Sequence, residues 1–565
     1  MQPVALSPTR RRADLEKLRN ETFDILVIGG GVTGAGVALD AATRGLTVAL
    51  VEQRDFAAGT SSRSSKLIHG GLRYLEQFNF GLVREALKER GLLLQELAPH
   101  LVRPVSFLFP LTHPLWERFY IGAGVQLYDR LGGSKHLPGH RHLTRRGAIS
   151  VMPSLRDDAF VGAIRYFDAQ VDDARHTMEI ARTAAAYGAV TTISTRVNDL
   201  LREGERVVGA RVRDQESGEE IDVQARQVIN ATGVWTDEVQ DLVGRGRIKV
   251  RASKGIHLVV PRDRIHGDSG LILRTETSVL FVIPWGRHWI LGTTDTDWNL
   301  DLAHPAASAS DIQYVLDHVN RVLRVPLTHE DVEGVYAGLR PLLSGEDEAT
   351  SQLSREHAVV QTVAGLITVA GGKYTTYRVM AEDAVDAAAR NLPQRVPSSV
   401  TDRTPLLGAE GYHALWNRRD RLAADAGLHV TRIEHLLDRY GALITELLAM
   451  LEERPELAER IDGADDYLKV EAVYAASHEG ARHLDDLLTR RTRISIETFD
   501  RGKAAARDVA PLMAEVLGWD DDDIAREIEH YDARVEAELE SQRMPDDRTA
   551  DAARMGARDV RVGAG

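Results

Sequence analysis

The sequence predicts an α/β protein of several domains: a doubly wound, Rossmann-type nucleotide domain, an antiparallel-sheet domain, and an α-helical C-terminal domain. Three observations predict it. Residues 24–52 read as strand, glycine-rich turn, helix and strand; residues 253–360 are rich in alternating strand patterns; and beyond the NLPQRVPSSV linker (391–400) the pattern turns helical and acidic.

Taken in order, DILVIG (24–29) is a short apolar strand, Thr33–Arg44 a helix of small residues closed by Arg44-Gly45, and TVALVE (47–52) a second buried strand. Apolar residues recur at helical spacing over 82–98 and stop at Pro99. A long helix starts near Asp172 and leads into AVTTIS (189–194); two alternating segments joined at Ser217-Gly218 form a hairpin, and VINATG (228–233) returns as a strand. LITVAGG (366–372) is one more buried strand, feeding a helix from about Thr375 to Arg390. The expected division is an N-terminal tail (1–20), a discontinuous nucleotide domain (21–252 and 361–390), an antiparallel-sheet substrate domain (253–360), a helical domain (400–545) and a flexible, Arg/Asp/Gly-rich tail (546–565).

Composition narrows the chemistry. At 565 residues, 43% apolar and 27% charged, the chain is ordinarily globular, and a formal charge of −14 argues against a broad nucleic-acid surface. The absence of cysteine excludes disulfides, thiolate metal sites and cysteine nucleophiles, so redox chemistry has to come from a bound cofactor. Arg10, Arg11 and Arg12 are not followed by the apolar run of a secretory signal, and no apolar run approaches the roughly 18 residues of a spanning helix. A soluble or peripheral protein is expected, with no metal site.

In IGGGVTGAG, Gly29, Gly31 and Gly34 satisfy G-x-G-x-x-G between a strand and a helix. The first makes the tight turn, the second admits a pyrophosphate to the backbone, and the third lets helix pack on strand; the helix N-terminus offers its amides to phosphate. Glu52, closing the second strand, is placed to take ribose hydroxyls. The chain then returns twice, with Ala231-Thr232-Gly233 at one strand end and Gly371-Gly372 before a helix whose N-terminus can face an electron-rich pyrimidine. Those returns favour FAD over NAD.

From residue 24 to about 390 the chain resembles the FAD-dependent glycerol-3-phosphate dehydrogenases of the aerobic, respiratory type. IGGGVTGAG, TSSRSSKLIHGGLRYLE, VDDAR, NATGVW, GIHLVVP, GTTDTD, GLRPL and GGKYTTYR carry the resemblance, and the helical C-terminal region is similar to the family's extra domain. The resemblance implies that the stretch after the second strand covers the flavin, with Thr60, Ser61, Ser62, Ser65, Lys66 and Leu67 contacting the cofactor alongside Thr33, Trp235, Lys373 and Thr375. It implies a substrate pocket of Arg73, Tyr74, His257, Arg340, Arg355 and Lys373. Of these, His257, Arg340 and Lys373 are the catalytic candidates: an imidazole of ordinary pKa near 6.5 suits a general base, while Arg340 or Lys373 can steady a developing alkoxide.

The activity so implied is oxidation of sn-glycerol 3-phosphate to dihydroxyacetone phosphate, with electrons passing to a quinone. Alternatives are a glycerophosphate oxidase using oxygen, an amine or amino-acid oxidase of the same fold, and a flavin-binding sensor without turnover. Expected partners are glycerol 3-phosphate, a quinone, a membrane surface and a second copy in a homodimer; the expected location is cytoplasmic, peripheral on the inner face of the plasma membrane. Residues 108–133, with Trp116, Phe119, Tyr120 and Tyr128, read equally as an interfacial membrane element or a buried helical lid.

Overall fold

The computed structural model describes residues 3–71, 79–113, 116–131, 137–244, 246, 248–276, 279–343 and 357–561. Its first sheet has eight strands. Thr22–Ile28, Val48–Val51, Val190–Thr192, Glu220–Asn230 and Leu366–Gly371 run parallel, with Thr22–Ile28 between Val48–Val51 and Glu220–Asn230. Antiparallel strands extend the sheet, the 206–230 hairpin among them. Within this sheet residues 25–28 and Val48–Val51 are apolar and buried throughout because both faces are covered there. On one face the helix Val32–Thr43 lies between Asp173–Ala186 and Tyr377–Ala389, and its small residues allow the close approach: a Cβ on Gly36 would stand 2.9 Å from the Tyr377 ring.

The second sheet has ten strands and is mostly antiparallel. Its long central pair, Val250–Pro261 with Gly334–Leu343, sets Ser253 opposite Arg340 and His257 opposite Tyr336. Since successive side chains alternate faces, that register brings Ser253, Gly255 and His257 to the face shared with Gly338 and Arg340.

This sheet is larger than the sequence indicates. Beyond the 253–360 segment it takes Leu67–Ile68, Val102–Leu111, Arg141–Thr144 and Gly162–Val171. Pro104 and Pro110 interrupt the alternation of Val102–Leu111, yet Val105, Phe107 and Phe109 are core residues. Leu108–Leu111 is therefore the end of a buried strand, separate from the helix Trp116–Leu131 that follows.

Both expected tails are structured. Pro8–Asn20 is a helix, capped by Ser7 and seated by buried Leu18. Buried Asp14 holds Arg10 at 2.7 Å, and Arg11 reaches Asp214 at 2.5 Å. At the other end Asp547–Arg554 is a helix with Ala550 fully buried; Asp547 pairs with Lys254, and buried Arg561 pairs with Asp486 and donates to Ser194. The composition of 546–565 looks solvated, but Asp547, Asp559 and Arg561 are paired with Lys254, Arg54 and Asp486, far away in sequence.

The C-terminal helices are joined to the nucleotide domain by buried ion pairs: Arg490 and Arg491 with Asp55, Arg175 with Glu479, and Arg493 with Asp172 and Asp173. His483 spans the same seam, its Nδ1 2.8 Å from Glu527 and its Nε2 3.2 Å from Glu216. Burial and Arg561 oppose a charge there, but the two carboxylates prevail and lift its pKa to about 9.

A pKa raised in the folded state stabilises fully below the unfolded value of about 6.5 and is lost as pH rises through the folded one. Denaturant unfolding at pH 6.5 and 9.5 should therefore show the wild type losing on the order of 3 kcal/mol more than His483→Gln. Equal losses in the two proteins would show that His483 is not protonated in the fold.

Candidate active site

The two sheets enclose a cavity of about 1350 Å³. One side is the glycine turn. Gly29 has φ +107°, and a Cβ there would come 2.8 Å from the carbonyl oxygen of Ala231. A Cβ on Gly34 would meet the Gly29 carbonyl at 1.9 Å, so this glycine fits helix to strand and stays off the cavity wall. Gly31, Thr33 and Glu52 do line the cavity. The Glu52 carboxylate is fixed by the amides of Gly30 (2.6 Å) and Arg54 (2.8 Å), while burial holds its pKa above the usual carboxylate value. Ala231, Thr232, Gly233 and Trp235 face it from the return strand, and Gly371, Gly372, Lys373 and Thr375 from the last one.

The loop Thr60–Leu67 crosses between the sheets. Thr60 donates to the Leu339 carbonyl at 2.6 Å, and Ser61 accepts from the Val32 amide at 2.9 Å, tying the loop to both domains. Thr60, Ser61, Ser65 and Leu67 reach the cavity wall; Ser62 and Lys66 do not. The latter two correct the expectation from sequence. Lys66 sits at φ +57° and its fully buried ammonium turns back into the body, donating to the Ser62 carbonyl (3.1 Å) and Asp173 (2.7 Å). Isolated in that interior, the ammonium needs a carboxylate, and Asp173 supplies it. Arg73, Tyr74 and Arg355 lie outside the described residues.

His257, Arg340 and Lys373 stand on the cavity wall with these loops. The His257 ring stacks on Tyr336, centroids 4.7 Å apart, and its Nε2 is 2.8 Å from the Ser65 hydroxyl. Gly292 makes room for the ring, since a Cβ there would be 2.4 Å from it. Nδ1 is buried, with no hydrogen-bond partner among the described residues. Burial first, then Arg340 and Lys66, push the imidazole well below 6.5, so it is neutral across the physiological range and a weaker base than its ordinary pKa indicates.

Arg340 is held by Thr293 Oγ1 (3.3 Å), the Thr294 carbonyl (3.1 Å), Asp295 (3.3 Å) and Ser253 (3.4 Å). Sequence reasoning singles out GTTDTD without assigning these residues a role; the signal is there in two threonines and an aspartate following a strand end. It also passes over Arg54, Arg63 and Arg274, all on the cavity wall. No cluster of three or more His, Cys, Asp or Glu suited to a metal occurs among the described residues.

A dinucleotide fits this cradle. The volume exceeds the roughly 300–1000 Å³ of an ordinary ligand pocket, as it must if a cofactor and a substrate share it. The glycine turn leaves backbone bare where side chains would intrude, and Glu52 keeps acceptor capacity beyond its two amides. Glu52→Arg should accordingly yield folded protein with little bound flavin, read as absorbance per chain after purification. Normal flavin content would remove Glu52 from the site.

Residues 24–378 match the family described as FAD dependent oxidoreductase, and residues 399–524 that described as the C-terminal domain of alpha-glycerophosphate oxidase. The chain is 61% identical over 559 residues to a glycerol-3-phosphate dehydrogenase of Mycobacterium leprae, covering 99% of this chain and 96% of that one. It is 39% identical over 544 residues to the human mitochondrial glycerol-3-phosphate dehydrogenase, covering 92% of this chain and 74% of that one. The structure superimposes with a TM-score of 0.78 on the glycerol-3-phosphate dehydrogenase of Bacillus halodurans complexed with FAD, at 29% identity, covering 94% of this chain and 98% of that one. Cradle, pocket and C-terminal domain thus agree with full-length likeness, and the chain belongs to the FAD-dependent glycerol-3-phosphate dehydrogenase family.

Proposed function

We propose that this protein oxidises sn-glycerol 3-phosphate to dihydroxyacetone phosphate and delivers the electrons to a quinone from the cytoplasmic face of a membrane. The observation that carries the reading is the meeting of His257, Arg340 and Lys373 on the wall of the cavity that the glycine turn opens. When bound, FAD supplies the two-electron acceptor. The protein's own residues bind a dianion and take one proton. Arg340 and Lys373 offer charge-assisted contacts to the phosphate or to the developing C2 alkoxide; the family resemblance implies Arg73 and Arg355, outside the described residues, as further substrate contacts. His257 is neutral and able to accept the C2 hydroxyl proton; with Nδ1 buried, the proton arrives at Nε2, the edge shared with Ser65. Oxidation is balanced when the C2–H pair leaves as hydride and the O–H proton passes to this imidazole.

If His257 is the base, His257→Gln should lower the anaerobic flavin-reduction rate by about 10² to 10⁴ while FAD stays bound. An unchanged rate would leave His257 a core residue.

The helix Trp116–Leu131 supports the choice of acceptor. It buries Ile121, Val125 and Tyr128 against the body and leaves Trp116 and Phe119 56% and 76% exposed. Tyr120 and Leu127, also exposed, line the cavity. Exposed Arg141, Arg145 and Arg146 flank it on the neighbouring strand and helix. No helix among the described residues is long and apolar enough to cross a membrane. A peripheral contact through this helix would dip apolar rings into the interface, set arginines against anionic headgroups, and bring a lipid-soluble quinone to the cavity.

The protein should co-sediment with anionic vesicles, Trp116→Glu should weaken this, and reduced flavin should be reoxidised faster by a quinone analogue than by air. Stoichiometric peroxide with no preference for quinone would instead make the protein an oxidase.

A further inference from the structure

A second cavity, of about 90 Å³, lies where the flavin loop, the 304–307 segment and the C-terminal helices meet. Six arginines line it (63, 490, 493, 501, 534 and 554) against a single carboxylate, Glu538. Arg490 and Arg493 are engaged by Asp55, Asp485, Asp486, Asp172 and Asp173, and Arg534 by Asp485 at 2.6 Å. Arg63, Arg501 and Arg554 make no ion pair among the described residues.

Their remaining contacts are sparse. Arg63 donates to the Ala303 carbonyl at 3.3 Å, and Arg501 donates to the Glu333 carbonyl while its buried Nε has no partner among the described residues. The Arg554 side chain, 4% exposed, has no hydrogen bond among the described residues. Three such guanidiniums and one carboxylate leave a local excess of two positive charges on the cavity wall. The strain shows in acidity: burial and the neighbouring Arg534, Arg554, Arg54 and Arg490 bring Arg63 down to about 9, and burial with Arg534 brings Arg554 down to about 10. Buried charges are ordinarily paired, and a space this size exceeds what one water fills.

We propose that this cavity binds a small tetrahedral oxyanion of the phosphate type, held by Arg63, Arg501 and Arg554 at the junction of the three domains. Its charge matches the local excess, and guanidinium forks suit its oxygens. Because Arg63 also lines the large cavity, occupancy stiffens the loop that crosses it. The site stands apart from the substrate assignment and does not rest on it.

The test uses full-length, FAD-loaded protein titrated calorimetrically with inorganic phosphate, at ionic strength matched with chloride. Wild type should bind one more phosphate per chain than Arg554→Gln, or bind it roughly tenfold or more tighter. Competition of phosphate with glycerol 3-phosphate in the assay should be unaltered, since that reports the large cavity. Glu538→Gln, which removes the competing carboxylate, should bind phosphate more tightly than wild type. Equal stoichiometry and affinity in wild type and Arg554→Gln would overturn the proposal. Should Arg554→Gln fail to hold FAD, Glu538→Gln decides, and affinity no higher than wild type overturns it as well.

Discussion

Asp173 is the constraint on which the site depends. Fully buried at the start of the helix Asp173–Ala186, it accepts from the Ser64 amide and hydroxyl, from the Lys66 ammonium and from Arg493 of the C-terminal domain. One carboxylate thus fixes the loop over the cavity, the nucleotide domain and the helical domain to one another. Asp172 beside it takes Arg493 and Arg439, which hold its pKa below the usual carboxylate range against the opposing effect of burial. Removing one member of such a network leaves an uncompensated buried charge, a larger loss than any surface pair entails. The C-terminal domain thereby acquires a mechanical role, clamping the loop of residues 60–67 from behind through Arg493 and the Ser62 carbonyl.

The parts of the site legible in the sequence are those with local spacing rules. The strand–turn–helix around Gly29, the acid at 52 and the small residues at 231–233 declare themselves because a tight turn and a backbone approach admit few residue types. His257 and Arg340 sit in recognisable segments, yet their meeting depends on the register of two strands some eighty residues apart. Lys66 shows the limit. A lysine among serines and glycines near a cofactor loop reads as a ligand contact, and nothing nearby announces that its partner is Asp173, 107 positions on. The C-terminal segment fails for the same reason: Arg561 and Asp547 look solvated until Asp486 and Lys254 are brought to them.

Two demands on the large cavity pull against each other. Burial first, then the field of Arg340 and Lys66, depresses the His257 imidazole, so the enclosure and the cation proposed to hold a dianionic substrate both weaken the group proposed to take the proton. In the proposed reaction the substrate itself eases the conflict. A phosphate seated against Arg340 cancels part of that field, so His257 becomes a stronger base when there is a hydroxyl to deprotonate and stays neutral and inert otherwise. Ser65 and Tyr336 keep the ring in place meanwhile, one by a hydrogen bond at its edge and the other by stacking on its face. The depressed pKa of the isolated protein's imidazole is therefore compatible with a base, because the relevant proton affinity is that of the complex, where the substrate's charge is part of the site.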